Sequence, residues 1–301
     1  MSAIRFGFHE EKGLRPTMED AHILCPSLTI NFGMSASLFA IFDGHGGGQV
    51  ADFVALNFVK VFEEECKKEL VENESDYHDV SKCLIQTCER VDCDLYQYFE
   101  LLKKRKLISE KDFHSCGAVG IIVLILNHEK VLCANLGDCR ALLFAISNLT
   151  EKECNEYSCE MVEMSRDFKA GYEKERMLEL GVKVVPGLPS RSFGDFQYKQ
   201  PQVKITLNKP HLEKNVILAT PEVRSFNLNE YKKGSVVENG LKNVLIVMAC
   251  DGLFDKITNQ EVQQFVMDHR HEKEEIFAQS LCQAALEKKT KDNVSVVVIR
   301  L

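Results

Sequence analysis

The chain has 301 residues, of which 45% are hydrophobic and 27% are charged, and its formal net charge is −8. This length allows one large domain or two ordinary ones, and the composition is typical of a globular chain with a sizeable core. The negative charge argues against nucleic acid or an anionic membrane surface as the main partner. A phosphorylated substrate stays open, because bound metal ions would reverse the field locally.

Cysteine usage and the first residues predict a soluble protein. The twelve cysteines are scattered without a CxxC pair, and MSAIRFGFHEEKG lacks the apolar segment of a secretion signal. The longest apolar run, AVGIIVLIL (118–126), is too short to span a bilayer. We therefore expect reduced thiols in a cytoplasmic protein, with the nucleus as a second location. We also expect a monomer that does not bind membranes.

Short apolar segments rich in Val, Ile and Phe predict buried strands along the chain. In order, they are SLFAIFD (37–43), AVGIIVLIL (118–126), KVLCANLGD (130–138), RALLFAI (140–146), NVILAT (215–220), NVLIVMACD (243–251) and NVSVVVIRL (293–301). Two long helical patterns lie between the first and second strands, at 50–70 and 80–102, each with an apolar stripe.

A second helical pair is predicted near the C-terminus. Thr258 and Glu261 match a capping box, and the apolar pattern of EEIFAQSLCQAALEKK (274–289) follows. Helix pairs separated by blocks of strands predict an α+β fold with helices layered on sheets. Since no repeat, linker or low-complexity tract interrupts the chain, we expect residues 1–301 to form a single domain.

Acidic residues border several of the predicted strands. They are Asp43, Asp138, Asp251, Asp255 and Asp292, and a further pair, Glu19 and Asp20, follows Arg15 near the start. Each one alone fits a turn residue or a helix cap. Together they are harder to explain in this way, because clustered carboxylates repel one another unless cations neutralise them.

The kind of ligand in this set indicates hard cations. No His or Cys accompanies the acids at zinc-like spacing, so carboxylate and carbonyl oxygens favour Mg²⁺ or Mn²⁺. An acid-rich site with two metal ions can position and deprotonate a water for in-line attack on phosphorus. Arg15 would supply a planar guanidinium for phosphate oxygens. On this interpretation the first strand ends at Asp43 and Gly44 to present a carboxylate and a carbonyl to metal.

Seven segments in order carry a resemblance to a known family. They are RPTMEDAH, FAIFDGHGGGQVADF, ANLGDCRALL, SRSFGDFQYK, ATPEV, MACDGLFD and KDNVSVVVI. The set resembles the PP2C (PPM) family of metal-dependent protein serine/threonine phosphatases, over essentially the whole chain. The resemblance implies a four-layer α-β-β-α sandwich of two antiparallel sheets flanked by helix pairs. It also implies hydrolysis of phosphoserine and phosphothreonine in phosphoproteins by a metal-activated water.

The resemblance further implies a centre with two Mg²⁺ or Mn²⁺ ions at one end of the sandwich. Asp43 matches the carboxylate that bridges the two ions, and Gly44 matches the residue whose carbonyl binds one of them. Asp251 and Asp292 match carboxylates on the other ion. Glu19 matches an acid that holds a metal through water.

The remaining site residues are also assigned by resemblance. Arg15 matches the phosphate-binding arginine, and His45 matches the general acid that protonates the departing serine or threonine oxygen. Asp20 matches a partner that supports the metal ligands. Asp138 and Asp255 fall where some relatives hold a weaker third metal, and a structural role for both stays open.

The sequence departs from the family pattern beside the expected site. Where the family usually has DHKP, this chain has Phe168 in place of His and Ala170 in place of Pro. Where the family usually has SGSTA, it has HSCGA (114–118), which we interpret as a packing variation. A catalytically silent relative that serves as a binding or regulatory domain is the alternative function. Such a relative is expected to lose a metal ligand, and none is lost here. A nucleotide-binding loop is disfavoured, because neither GxGxxG nor GxxxxGK[ST] occurs.

Overall fold

Two antiparallel β-sheets lie at the centre of the protein. The computed structural model describes residues 4–30, 34–70, 77–148, 157–169, 171–183, 187–201, 214–232 and 244–301. The first sheet has the order β1 (Arg5–Glu11), β11 (Val294–Arg300), β10 (Val244–Ala249), β6 (Arg140–Asn148) and β7 (Tyr157–Glu163). The second has the order β2 (Ala21–Ile30), β3 (Met34–His45), β4 (Gly117–Leu126), β5 (Lys130–Leu136) and β9 (Glu222–Asn227), and β8 (Phe193–Gly194) pairs with β4.

Helices cover the outer face of each sheet. The second sheet carries α1 (Gln49–Glu69), α2 (Tyr77–Lys104) and α3 (Glu110–Ser115), and the first carries α7 (Asn259–Asp268) and α8 (Glu274–Glu287). Short helices α4 (Lys174–Glu179), α5 (Leu228–Lys232) and α6 (Asp251–Phe254) lie in the connections. The predicted four-layer α-β-β-α sandwich is therefore confirmed, as is the capping box of Thr258 and Glu261.

The central strands are apolar on both faces because both faces are buried. On β3, Phe39 and Ile41 pack between the two sheets, whereas Leu38, Ala40 and Phe42 pack against the helices. Each large apolar side chain buried in this way contributes roughly 1.5–3 kcal/mol. Burial on both faces therefore accounts for the near-continuous apolar sequences of β3 and β4.

One predicted strand is wrong. The segment NVILAT (215–220) forms only a single parallel bridge, between Leu218 and Arg191, and the strand of this region is β9, which begins at Glu222. Val216 and Val182 instead form a small apolar cluster outside the sheets. Burial under a loop and burial in a sheet require the same residue types, so an apolar run does not distinguish them.

Two further features concern the whole of the described chain. None of its helices combines the length and the apolar character that crossing a membrane requires. None of its eleven described cysteines forms a disulfide, and most of them are buried.

The antiparallel pairing brings distant segments to one end of the sandwich. β1 pairs with β11 so that Glu11 faces Val294, which sets the connection after β1 beside the turn before β11. Asn293 stabilises the connection after β1, because its Nδ2 donates to the carbonyls of Lys12 (2.8 Å) and Thr17 (3.1 Å). The end of β3, the end of β10 and the turn between β5 and β6 meet at the same place.

Candidate active site

A cavity of about 710 Å³ opens at this end of the sandwich. Seven of the residues predicted from the sequence line it, namely Arg15, Asp43, Gly44, His45, Asp138, Asp251 and Asp292. Three others, Glu19, Asp20 and Asp255, lie beside it without lining it. The structure thus brings together side chains that are up to 277 positions apart in the chain.

Asp43 is at the centre of a buried group of carboxylates. Burial raises its pKa well above the usual value, and the charges of Asp20 and Asp251 raise it further. Burial and neighbouring acids raise the pKa of Asp251 to about 7, and burial raises that of Asp20 to about 6. The three acids therefore favour protonation, which is the response expected of crowded carboxylates without a compensating cation.

The donor atoms of this group fit a hard divalent cation. Asp20 and Asp43 each have a carboxylate oxygen within 4.8 Å of the other and of Cys250 Sγ. Asp20 Oδ2 accepts a hydrogen bond from Ser295 Oγ (2.7 Å), whereas Oδ1 is buried with no hydrogen-bond partner in the described part of the chain. Such an orphaned carboxylate oxygen beside a second carboxylate is what a cation would satisfy.

Cys250 belongs to this group by position rather than by chemistry. Burial raises the pKa of its thiol well above the usual range, so the sulfur stays protonated. It donates to the carbonyl of Asn293 (3.4 Å) and accepts from the Ser295 amide (3.2 Å). The oxygen donors that remain suit a hard cation better than a thiophilic metal.

Gly44 is required by close backbone packing. A Cβ at this position would lie 2.3 Å from the carbonyl oxygen of Glu19. The end of β3 therefore approaches the segment before β2 more closely than any other residue allows.

Both carboxylate oxygens of Glu19 accept hydrogen bonds from other groups of the protein. Oε1 accepts from Thr17 Oγ1 (2.9 Å), and Oε2 accepts from the amide of Gly47 in the loop before α1 (3.0 Å). Its observed role is to hold that glycine-rich loop. Contact with a metal through water, as the resemblance implies, stays a prediction.

Arg15 and Asp292 form an ion pair at the mouth of the cavity. Arg15 Nη2 donates to Asp292 Oδ2 at 2.6 Å, and the Arg15 side chain is 51% exposed. Burial lowers the pKa of this guanidinium, but the hydrogen bond and charge of Asp292 raise it by more. A half-exposed guanidinium with further N–H groups is placed to bind an anion in the cavity.

Lys169 was not predicted as a site residue, yet it pairs with both acids assigned to a third metal. Its Nζ lies 3.2 Å from Asp255 Oδ1 and 3.9 Å from Asp138 Oδ2. The lysine occupies the third position of the altered DHKP segment, which was the available signal. The Lys169 ammonium thus offsets part of the negative charge of these two acids.

Asp195 was also missed, although it belongs to the SRSFGDFQYK segment. Its oxygens lie 3.0 and 3.1 Å from His45 Nε2, and its side chain is 1% exposed. Burial lowers the pKa of His45, but the hydrogen bond and charge of Asp195 raise it by more, so that the net shift is upward.

The departures from the family pattern are accommodated by packing. Phe168 is buried, with the Arg191 guanidinium over its ring at 4.0 Å and the Tyr172 ring against its edge; Ala170 lies outside the described residues. In HSCGA, Cys116 Sγ donates to the Gly46 carbonyl (2.8 Å), and burial raises the pKa of its thiol to about 11. This thiol is unsuited to act as a nucleophile.

Comparisons with known proteins give one consistent result. The family model described as Protein phosphatase 2C matches residues 4–294. "Probable protein phosphatase 2C 2" of Oryza sativa subsp. japonica is 27% identical over 98% of this chain and 71% of its own length. "Probable protein phosphatase 2C 5" of Paramecium tetraurelia is 31% identical over 85% and 76%. The solved serine-threonine phosphatase 2C from Toxoplasma gondii has a TM-score of 0.67 at 18% identity, covering 99% of this chain and 95% of that one.

Proposed function

The chain belongs to the protein phosphatase 2C family, and from this premise we propose that it removes phosphate from phosphoserine and phosphothreonine in proteins, with Mg²⁺ or Mn²⁺ as cofactor. The observation that carries the proposal is the convergence of Asp43, Asp251 and Asp292 with Arg15 around one cavity. Burial and the charges of neighbouring acids raise the pKa of Asp43 and Asp251, and carboxylates of this kind beside an accessible guanidinium suit a site for cations and a phosphate together.

The residues that would hold two cations are Asp43, Asp251, Asp292 and the carbonyl of Gly44, with Glu19 acting through water. Asp20 would support them from behind, where its buried Oδ1 has no hydrogen-bond partner among the described residues. When bound, such cations supply Lewis acidity, which lowers the pKa of an attacking water and neutralises phosphate charge.

Arg15 would bind and orient the phosphate. Its guanidinium presents several N–H donors in one plane, of which one is used on Asp292. The N–H groups that Arg15 does not use on Asp292 would donate to the phosphate oxygens.

His45 would give a proton to the departing oxygen. The oxygen that leaves phosphoserine becomes a strongly basic alkoxide, so protonation in the transition state lowers the barrier. His45 lines the cavity beside Asp43 and Gly44, within the segment that would hold the cations.

A catalytically silent binding domain is the weaker candidate. Asp43 and Asp251 carry the cost of buried, crowded carboxylates, and a binding domain would gain nothing from keeping them. The retained acids therefore support the enzyme.

The test is dephosphorylation of a phosphoserine peptide by the purified protein. We expect activity with Mn²⁺ or Mg²⁺, loss in excess EDTA, recovery when the metal is restored, and no effect of thiol alkylation. Asp43→Asn should abolish turnover, while Asp268→Asn, an exposed acid on α7, should not. Full turnover in EDTA, or inactivation by alkylation alone, would refute the proposal.

A further inference from the structure

The ring of His45 is held by a buried carboxylate. Both carboxylate oxygens of Asp195 lie within hydrogen-bond distance of His45 Nε2, at 3.0 and 3.1 Å. A carboxylate can only accept hydrogen bonds. Nε2 therefore carries a hydrogen directed at Asp195. Nδ1 is the ring nitrogen that this contact leaves for the substrate.

Asp195 is itself held in place by two hydrogen bonds and by its backbone conformation. Its Oδ2 accepts from Ser192 Oγ (2.6 Å), and its backbone amide donates to the carbonyl of Cys116 (2.9 Å). The residue adopts a left-handed conformation with φ of 51°, which Asp and Asn tolerate better than most residues. This geometry keeps a charged side chain with 1% exposure in a single place.

The pairing of β3, β4 and β8 makes room for the contact. Gly117 of β4 faces His45 on one side and Gly194 of β8 on the other. A Cβ on Gly117 would lie 2.4 Å from Asp195 Oδ2 and 2.5 Å from His45 Nε2. The missing side chain at Gly117 therefore leaves the space in which His45 and Asp195 meet.

We propose that Asp195 is a positioning residue for the phosphatase reaction: it holds the His45 imidazole through Nε2, so that Nδ1 gives its proton to the departing oxygen. The inference rests on the proposed function. The bond between phosphorus and the serine oxygen breaks, and its electron pair stays on that oxygen, which takes the proton from Nδ1. A water oxygen forms the new bond to phosphorus and loses a proton to solvent, and solvent returns a proton to Nδ1.

A carboxylate in this position removes the rotational freedom of the ring before substrate binds, and it fixes which ring nitrogen is hydrogen-bonded to the protein. This effect acts only through His45. It should therefore matter for a basic leaving oxygen and little for one that departs unaided.

Asp195→Asn tests the proposal, because Asn keeps the size and tolerates the left-handed backbone. On a phosphoserine peptide we expect kcat to fall by roughly tenfold or more, with KM little changed, since a positioned acid is typically worth 10²–10⁴-fold. On p-nitrophenyl phosphate, whose leaving phenolate is weakly basic, the loss should be less than about threefold. Equal losses on both substrates would overturn the proposal.

Two further comparisons separate positioning from folding. Ser192→Ala removes the hydrogen bond to Asp195 and should give a smaller loss that is again confined to the peptide. The matched control is Ser190→Ala, which removes a buried hydroxyl that donates to Phe168 (3.1 Å) in the same segment and should leave both rates unchanged. In a His45→Gln background, Asp195→Asn should cost nothing more. An undiminished second loss there would contradict action through His45.

A readout without turnover distinguishes this inference from the proposed function. Side-chain ¹H–¹⁵N spectra, with His45 assigned by its absence in His45→Gln, should show the neutral ring protonated at Nε2 in the wild type. Asp195→Ala should change that distribution. If the wild type dephosphorylates nothing but the spectra change as expected, the function falls and the contact with Asp195 stands. An unchanged spectrum overturns the inference, whatever the activity.

Discussion

Asp251 is the residue at which a catalytic role and a structural role predict opposite effects on stability. Burial and the charges of neighbouring acids raise its pKa to about 7, so the charged form is unfavourable in the metal-free protein. A turn or cap residue would instead stabilise the fold. The cost is understandable if the acid is kept for a cation.

Asp251→Asn should therefore raise the stability of the metal-free protein while abolishing activity. Removing one buried like charge is expected to increase the free energy of unfolding by roughly 1–3 kcal/mol at pH 8, since one pKa unit corresponds to 1.36 kcal/mol. Thermal unfolding in EDTA measures this gain, and peptide turnover in Mn²⁺ measures the loss. The exposed acid in Asp268→Asn should move neither. Lower stability with near-native turnover would return Asp251 to a structural role.

The Lys169 ammonium pairs with the two acids that the resemblance assigns to a third metal. Lys169→Met should release Asp138 and Asp255 and strengthen an additional, weak Mn²⁺ binding step by about tenfold or more. A unit charge about 4 Å away is worth about 1–4 kcal/mol at an effective dielectric between 80 and 20. Titration followed by Mn²⁺ electron paramagnetic resonance measures the stoichiometry, and Lys174→Met is the control on the neighbouring exposed lysine. Identical titrations for wild type and Lys169→Met would show that the lysine does not compete with metal.

Among the elements, the end of β3 is the one whose packing sets the site. The strand continues through Asp43 and Gly44 to His45, which is further than the apolar pattern alone indicates. It then meets the glycine loop and α1, and Glu19 fixes this loop through Gly47. The carboxylate, the carbonyl and the imidazole thus lie on one rigid strand end, which is favourable for a preorganised site.

Gly44→Ala should disrupt this strand end. The added methyl would lie 2.3 Å from the Glu19 carbonyl, so the backbone must move, and overpacking of this kind typically costs about 1–3 kcal/mol. We expect a lower free energy of unfolding and weaker activation by Mn²⁺. Gly171→Ala is the stability control, because a Cβ there meets nothing within 4 Å. Equal stability of the two variants would show that the close approach is not maintained in solution.

For the whole molecule, the crowded acids predict an unusual dependence of stability on pH. The pKa values of Asp20 and Asp251 are raised to about 6 and about 7, and that of Asp43 is also raised. The folded state therefore binds more protons than the unfolded state, so the free energy of unfolding falls as pH rises from about 5 to about 8. Acids whose pKa is lowered, such as Glu274, titrate below this range.

Thermal unfolding of the metal-free protein should accordingly give a lower Tm at pH 8 than at pH 5, by several degrees, since each kcal/mol corresponds to roughly 2–4 °C at this size. Mn²⁺ competes with protons for the same carboxylates, so it should raise Tm more at pH 8 than at pH 5. The double variant Asp43→Asn/Asp251→Asn should flatten both dependences. A Tm that rises with pH across this range in EDTA would contradict the raised pKa values.

Features that depend on local pattern could be predicted from the amino-acid sequence. The periodic apolar stripes of α1 and α2, the apolar runs of β3, β4, β5, β6, β10 and β11, and the acids at strand ends are properties of neighbouring residues. Less apolar strands such as β1, β2 and β7 were missed, because most of their residues are partly exposed and their apolar patterns are weak. The order of the seven segments was enough for the family and hence for the layered fold.

Contacts between side chains that are distant in the chain could not be predicted in this way, because they depend on how the folded elements pack. His45 and Asp195 are 150 positions apart, and their contact depends on the register of β3, β4 and β8 and on the missing side chain of Gly117. The pairing of Lys169 with Asp255 and the burial of Val216 outside the sheets are of the same kind. Local propensity carries no information about such contacts, because they arise from the packing of elements whose separation in the chain is bridged only when the sheets have formed.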